Sequence, residues 1–155
     1  MMHLESQIVI HREPADIWRF LGCVENVAKW DRGVVRTTIT SATAGGVGME
    51  FSTFAREDSD WGKMSYRIVE SGPDYCKLKL ISRDGNARFF REGCWTSRTE
   101  PHPEGTLVKC CVDFSLRSRY LFLAPLLYVK RSAMFTDLEF LKRAIESAPA
   151  ANRNS

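Results

Sequence analysis

Arg131 and Tyr66 are the residues of this 155-residue chain best placed to do chemistry, because each is a polar group on what reads as an apolar face. At about 100° per residue, Leu127, Arg131, Met134, Leu138, Leu141 and Ile145 fall on one side of a helix, with Tyr128 and Phe135 along its shoulder. A guanidinium in such a stripe is able to bind a carboxylate, phenolate or enolate through two parallel hydrogen bonds. Equally, it can run its stem along apolar surface and hold its head at a cavity mouth. Tyr66 belongs to the alternating set Met64, Tyr66, Ile68, the inner face of a strand. Its hydroxyl offers a hydrogen bond to a carbonyl, or a weak acid, unless backbone satisfies it as a core tyrosine.

The remaining candidates carry less. Asp113, Glu92 and Glu70 are strand carboxylates, but alternation places Asp113 with Lys109 on the solvated face. His11 ends the first strand beside Arg12 and Glu13, a surface setting. Gly45-Gly46-Val47-Gly48 lacks the Lys-Ser/Thr and the following helix that a phosphate loop requires, and reads as a hairpin. The serines form no nucleophile elbow, and no cysteine shares a motif with a histidine. Cys23, Cys76, Cys94, Cys110 and Cys111 are odd in number and irregularly spaced, which reads as reduced thiols, with Cys110 and Cys111 on opposite strand faces. His3, His11 and His102 have no second ligand at a helical spacing, so neither a metal nor a cofactor is expected.

The elements that must position these groups amount to one domain. A composition of 44% hydrophobic and 26% charged residues is ordinary for a globular chain of this length. A net charge of +3, from 22 basic and 19 acidic residues without a basic block, argues against nucleic acid. The most apolar run, Tyr120–Val129, is interrupted by Pro125 and falls short of the ~20 residues of a membrane span. The N-terminus lacks a signal-peptide pattern, and the cytoplasm is the expected compartment.

Ser6–His11 alternates as a first strand. Pro14–Leu21 follows as a helix with proline in its first turn and Asp16 suited to its dipole. Gly22 breaks it before a second helical segment, Val24–Trp30. Turn signals then divide the chain into six antiparallel strands, Val34–Ser41, Met49–Glu57, Trp61–Glu70, Cys76–Ser82, Ala87–Thr99 and Thr106–Leu116. Alternation turns Val108, Cys110, Val112, Phe114 and Leu116 inward, and Leu78 with Leu80. In the set Phe89, Arg91, Gly93, Trp95 the large indole argues for the inside. A long helix, Leu123–Ser147, completes a domain of residues 1–148, and a polar tail, 149–155, is expected to fray.

This order, with Pro14-Ala15-Asp16-Ile17-Trp18 after the first strand, Trp30-Asp31-Arg32-Gly33-Val34 before the second and Gly46-Val47-Gly48 opening the third, resembles the START-like superfamily. Within it, the resemblance is to the polyketide cyclase/dehydrase and lipid-transport group, the SRPBCC proteins. Gly105-Thr106 at the last strand and Asp137-Leu138-Glu139-Phe140-Leu141-Lys142 late in the helix extend the likeness over about residues 6–146. The resemblance implies an α+β helix-grip (START/Bet v 1-like) fold: a seven-stranded antiparallel sheet wrapped around the long C-terminal helix, two short helices after strand one, and a hydrophobic cavity between. It carries no universal catalytic motif, and the fold alone names no activity.

The leading expectation is therefore the binding, or transport, of a small hydrophobic molecule with a polar head. The cavity would be lined by Trp30, Phe51, Tyr66, Phe89, Trp95, Cys110, Phe114, Leu127, Arg131 and Met134. The competing expectation is a cofactor-independent polyketide aromatase/cyclase or dehydratase in the same cavity, with Tyr66 as proton donor and Arg131 as enolate stabiliser, provided the two converge. A third is an interaction module using the charged outer sheet face of Lys77, Lys79, Arg98 and Lys109. A monomer or weak homodimer without stable membrane insertion fits all three.

Overall fold

The computed structural model describes residues 1–43, 45–129 and 131–149. Strand β1 spans Met2–Ile10, helix α1 Pro14–Leu21, and a 3-10 turn at Val24–Asn26 runs into α2, Val27–Trp30. Strands β2 (Arg36–Ile39), β3 (Glu50–Phe54), β4 (Met64–Ser71) and β5 (Tyr75–Leu80) follow. After a 3-10 turn at Gly85–Phe89 come β6 (Phe90–His102) and β7 (Gly105–Leu116). A 3-10 segment, Ser118–Leu123, leads to α3 (Ala124–Val129) and α4 (Arg131–Ser147). The strands form one antiparallel sheet in the order β1-β7-β6-β5-β4-β3-β2. The meander β2 to β7 pairs each strand with its chain neighbour, and β1 joins at the far side of β7, opposite Met2↔Phe114 through Ile10↔Thr106.

Local chemistry accounts for most boundaries. Pro14 sits in the first turn of α1, where its missing N–H costs nothing, and Asp16 lies in that turn. Gly45, Gly46 and Gly48 all have positive φ, as a tight turn requires, and the segment runs into β3 and not into a helix, so no helix N-terminus is offered to a phosphate. At the β6–β7 hairpin Gly105 has φ 143°, and a Cβ there would come within 2.3 Å of the Ile10 carbonyl oxygen, so β1 can close on this turn only past a glycine.

Several boundaries depart from the sequence reading. β1 begins at Met2, not Ser6, because Met2 and Leu4 pack with Phe114 and Leu116, a pairing supplied by β7. Ala87 to Phe89, expected as the start of a strand, belong instead to a 3-10 turn, Gly85–Phe89. A register shift between Phe90 and Glu92 then resets the alternation, so Phe90 packs edge-on to Phe114 and Trp95 still turns inward. Leu123 belongs to the 3-10 segment ahead of α3, and Pro125 takes an early position in that helix. Lys130, between α3 and α4, lies outside the described residues, as does all of the expected tail except Pro149.

The core has three parts. Ile10, Ile17, Val108, Leu138, Leu141 and Ile145 form a fully buried cluster where α1 and the C-terminal half of α4 meet β1 and β7. Leu4, Phe114 and Leu116 form a second with Phe89, Leu127 and Met134 against it, and Val24, Met49, Phe51 and Ile68 a third. Polar latches fix α4 on the end of β1: Lys142 donates to the Val9 carbonyl (2.8 Å), and the Glu146 carboxylate accepts from the His11 N–H (2.9 Å). No helix among the described residues is long and apolar enough to cross a membrane.

Candidate functional site

Between these clusters lies a partly enclosed cavity of about 560 Å³. Its walls come from every layer of the fold. Trp18 and Leu21 project from α1, Val24, Val27 and Trp30 from the α2 region, and Met134, Asp137 and Leu138 from α4. The sheet contributes Met49, Phe51, Ile68, Leu78, Trp95 and Val112, with Ser97 and Cys110 beside them. Gly45 and Gly46 of the β2–β3 turn and Ser71 to Pro73 of the β4–β5 turn complete the rim.

Specific contacts hold the aromatic walls in place. The Trp18 Nε1–H donates to Thr99 Oγ1 (2.9 Å), orienting an indole whose N–H would otherwise be left unsatisfied. Trp95 lies over Gly93, where a Cβ would fall 3.0 and 3.1 Å from the ring, so the missing side chain is what lets the indole lie flat. Tyr66 meets Trp95 edge-on at 5.1 Å between centroids and Phe51 at 5.4 Å, joining β3, β4 and β6 into one aromatic wall.

Of the ten residues expected to line the cavity, Trp30, Phe51, Trp95, Cys110 and Met134 are brought together in it. Tyr66 stands behind the wall, its hydroxyl directed to Met64 Sδ (3.6 Å). Phe89, Phe114 and Leu127 fill the second core cluster instead, with Phe89 stacked edge-on to Tyr120 at 4.9 Å. An alternation or a helical stripe specifies a face, and this face is long enough to hold both a cavity and a packed cluster.

Arg131 departs furthest from expectation. It is exposed and lies in a separate, open groove with Leu4, Ser6, Gln7, Tyr128 and Phe135, between β1 and the start of α4. The helical wheel fixes the angle at which Arg131 leaves the axis but not how far the sheet extends along the helix. Here the stripe has run past the cavity to the sheet edge, where a guanidinium keeps its water. Tyr66 and Arg131 do not converge, and the acid–stabiliser pair required by the cyclase expectation is not assembled. Burial, and then the negative charge of Asp31, also push the Tyr66 hydroxyl well above the ordinary tyrosine range, making it a poorer proton donor.

The ionisable residues that line the cavity are Asp31, Asp137, Cys76 and Cys110, with Cys111 reaching it from a strand position whose thiol lies on the other face. Asp31 ends α2, and its Oδ1 accepts from the Gly33 N–H (2.9 Å). Burial raises the Asp31 carboxyl above the usual range, the Gly33 hydrogen bond opposes this, and the charge of Asp137 adds to the rise. Asp137 is paired with Arg32 Nε at 3.3 Å, and Arg32 packs over the Phe140 ring. Both aspartates lay within the motifs that carried the family resemblance. Their inward placement had no signal of its own, because Asp31 follows a four-residue helix and Asp137 sits beside the apolar stripe. The Cys110 thiol is pushed up to about 11 by burial, so it stays protonated and unreactive at neutral pH.

Outside the cavity, His3 is held between Asp113 (2.6 Å) and Glu5 (3.3 Å) on the outer sheet face, which raises its pKa through those hydrogen bonds. Cys111 lies beside Glu5, and the ligand atoms of His3, Glu5 and Cys111 fall within 4.8 Å of one another, a proximity that cross-strand pairing creates and sequence spacing hid. On the same face Lys109 pairs with Glu100 (3.0 Å), and further across the sheet Lys77 pairs with Glu70 (3.7 Å), the ordinary behaviour of solvated strand charges.

A seven-stranded antiparallel sheet gripping a C-terminal helix, with two short helices across one end and a cavity inside, defines the helix-grip class. The chain belongs to the polyketide cyclase / dehydrase and lipid transport family, whose sequence model matches residues 1–146. No curated protein matches the sequence. Among solved structures, the chain is similar to protein MLL2253 from Mesorhizobium loti (15% identity, TM-score 0.72, covering 96% of this chain and 99% of that one). It is also similar to truncated norcoclaurine synthase from Thalictrum flavum (11% identity, TM-score 0.72, covering 96% and 95%). The third is the di-domain ARO/CYC BexL of the BE-7585A biosynthetic pathway (15% identity, TM-score 0.72), where the match covers 94% of this chain and 47% of that one. At these identities the likeness is one of fold.

Proposed function

We propose that this protein binds, and in doing so carries, a small, largely apolar molecule in the cavity between sheet and C-terminal helix. The observation that supports this is the cavity itself. Its volume of about 560 Å³ lies inside the roughly 300–1,000 Å³ of small-molecule sites, and its walls are mostly apolar and aromatic with a few polar groups among them. Five free cysteines suit a reducing compartment such as the cytoplasm, and the chain acts as a monomer or weak homodimer forming a single domain.

Burying apolar ligand surface contributes roughly 25 cal/mol per Å², and the largely preformed wall of Trp18, Trp30, Phe51 and Trp95 reduces the ordering cost of capture. Native mass spectrometry of the purified protein, with extraction of any co-purifying compound, tests the reading. The comparison is Val112→Phe, which places a larger side chain in the cavity wall. An apolar compound retained by the wild type and lost from a folded Val112→Phe variant supports it. Equal occupancy of both proteins, or no adduct together with no thermal shift across fatty acids, sterols, aromatic polyketides and apolar amines, overturns it.

A further inference from the structure

We infer that the molecule held in this cavity is an aromatic or otherwise apolar amine, its ammonium group received by Asp31 and its body packed against the tryptophan-lined wall. This rests on the proposed reading of the cavity as a ligand site and specifies the chemical class of the occupant.

Two independent features of the site lead there. The first is charge. Among the described residues lining the cavity there is no lysine, arginine or histidine, whereas two carboxylates are present. Asp137 has a cationic partner in Arg32 at 3.3 Å, but Asp31 has the neutral Gly33 N–H as its recorded hydrogen-bond donor. The three groups together carry a net negative charge when ionised. An anionic ligand, such as a fatty acid with its carboxylate inside, would meet repulsion there. A cationic one would supply the counter-charge that Asp31 lacks.

The second feature is the wall. Trp18, Trp30, Trp95 and Phe51 line the same cavity, and the negative faces of aromatic rings attract a desolvated ammonium as well as packing an apolar body. Aromatic faces beside an under-compensated carboxylate are the two halves of amine recognition. Burial, and then the charge of Asp137, raise the Asp31 carboxyl, and an ammonium held beside it would act in the opposite direction. Arg131, the residue whose chemistry would call for the opposite ligand charge, lies in the outer groove and contributes nothing to the cavity.

The test is a titration of the full chain with three probes that share one body: phenylbutylamine, phenylbutanol and phenylbutyrate. Affinities come from calorimetry, and cavity resonances are followed by NMR in the wild type, Asp31→Asn and Asp137→Asn. The expected order in the wild type is amine, then alcohol, then carboxylate, with the amine about tenfold or more tighter than the alcohol. Asp31→Asn should bring the amine down to the alcohol while leaving the alcohol unchanged, which also shows that the variant is folded with an open cavity. Asp137→Asn frees Arg32 and should reduce the amine preference as well, by a smaller factor. Equal amine and alcohol affinity in the wild type, or tightest binding of the carboxylate, overturns the inference while leaving the apolar cavity reading intact. Failure of all three probes to shift any cavity resonance overturns both.

Discussion

The two halves of α4 lie on the same sheet and do opposite things. From Leu138 onward the stripe is sealed: Leu138, Leu141 and Ile145 are 1%, 0% and 3% exposed and pack into Ile10, Ile17 and Val108. Before it, Met134 is half-buried at the cavity, Asp137 lines the same space, and Arg131 stands in solvent. The sealed half anchors the helix through packing and through the Lys142 and Glu146 latches to the end of β1, so the other half can leave a void without loosening the fold. Packed core and cavity are thus separated along one helix, about one turn apart.

Truncation on the two sides of that divide should give the largest contrast. Leu141→Ala opens a hole in a fully packed cluster and is expected to lower the unfolding free energy by about 3 kcal/mol. Met134→Ala trims a half-buried side chain from a cavity that already exists and should cost about 1 kcal/mol. Urea denaturation of both variants measures the difference. Equal losses would mean that the cavity is filled in solution and that the helix has a single, uniform core.

Gly93→Ala tests whether the aromatic wall is held by packing. The new methyl group meets the Trp95 ring at 3.0 Å, so the indole must move toward the cavity, at a cost of about 1–2 kcal/mol. Tryptophan fluorescence should shift, and uptake of any apolar probe should weaken. An unchanged spectrum and unchanged uptake would show that the ring has room on its other side.

Asp31 offers a smaller effect with a definite sign. Its folded pKa is raised, so the folded state binds the carboxyl proton more tightly than the unfolded chain does, where the ordinary value is 3.8. Stability is therefore complete below that value and declines as pH rises through the higher folded value, leaving a penalty at neutral pH. Asp31→Asn keeps an acceptor for the Gly33 N–H without the charge. Its ligand-free melting temperature should exceed that of the wild type at neutral pH and converge with it in acid. A variant less stable at neutral pH would mean that Asp31 already has a compensating cation in the empty protein.

Arg131→Ala should be the quietest change. An exposed side chain in an open groove contributes within about 0.5 kcal/mol to stability. Ligand occupancy by native mass spectrometry should be the same as in the wild type. Loss of ligand from this variant would bring the guanidinium back into the cavity and reverse the charge argument.

The sheet and the grip were legible in the residues alone. Proline and glycine punctuation placed α1, the turns and most strand centres, because φ restrictions are local. Alternation assigned β7 its faces, because neighbouring Cβ atoms in a strand must point to opposite sides. The order of elements carried the family resemblance. Five of the ten residues expected at the cavity also lie there, the ones whose apolar bulk on an inner face happened to meet the void. Where along those faces the packing stops depends instead on the assembled fold. Phe114 and Leu127 obey the same periodicity as Cys110 and Met134, yet the former pair closes a core cluster and the latter pair opens onto the cavity. Arg131 obeys the helical stripe and ends in water, while Asp31 and Asp137, with no periodic signal, end in the cavity. Periodicity fixes direction about an axis. Burial depends on what another, distant segment places opposite, and that distance is set by the curvature of the sheet and the seating of α4 on β1.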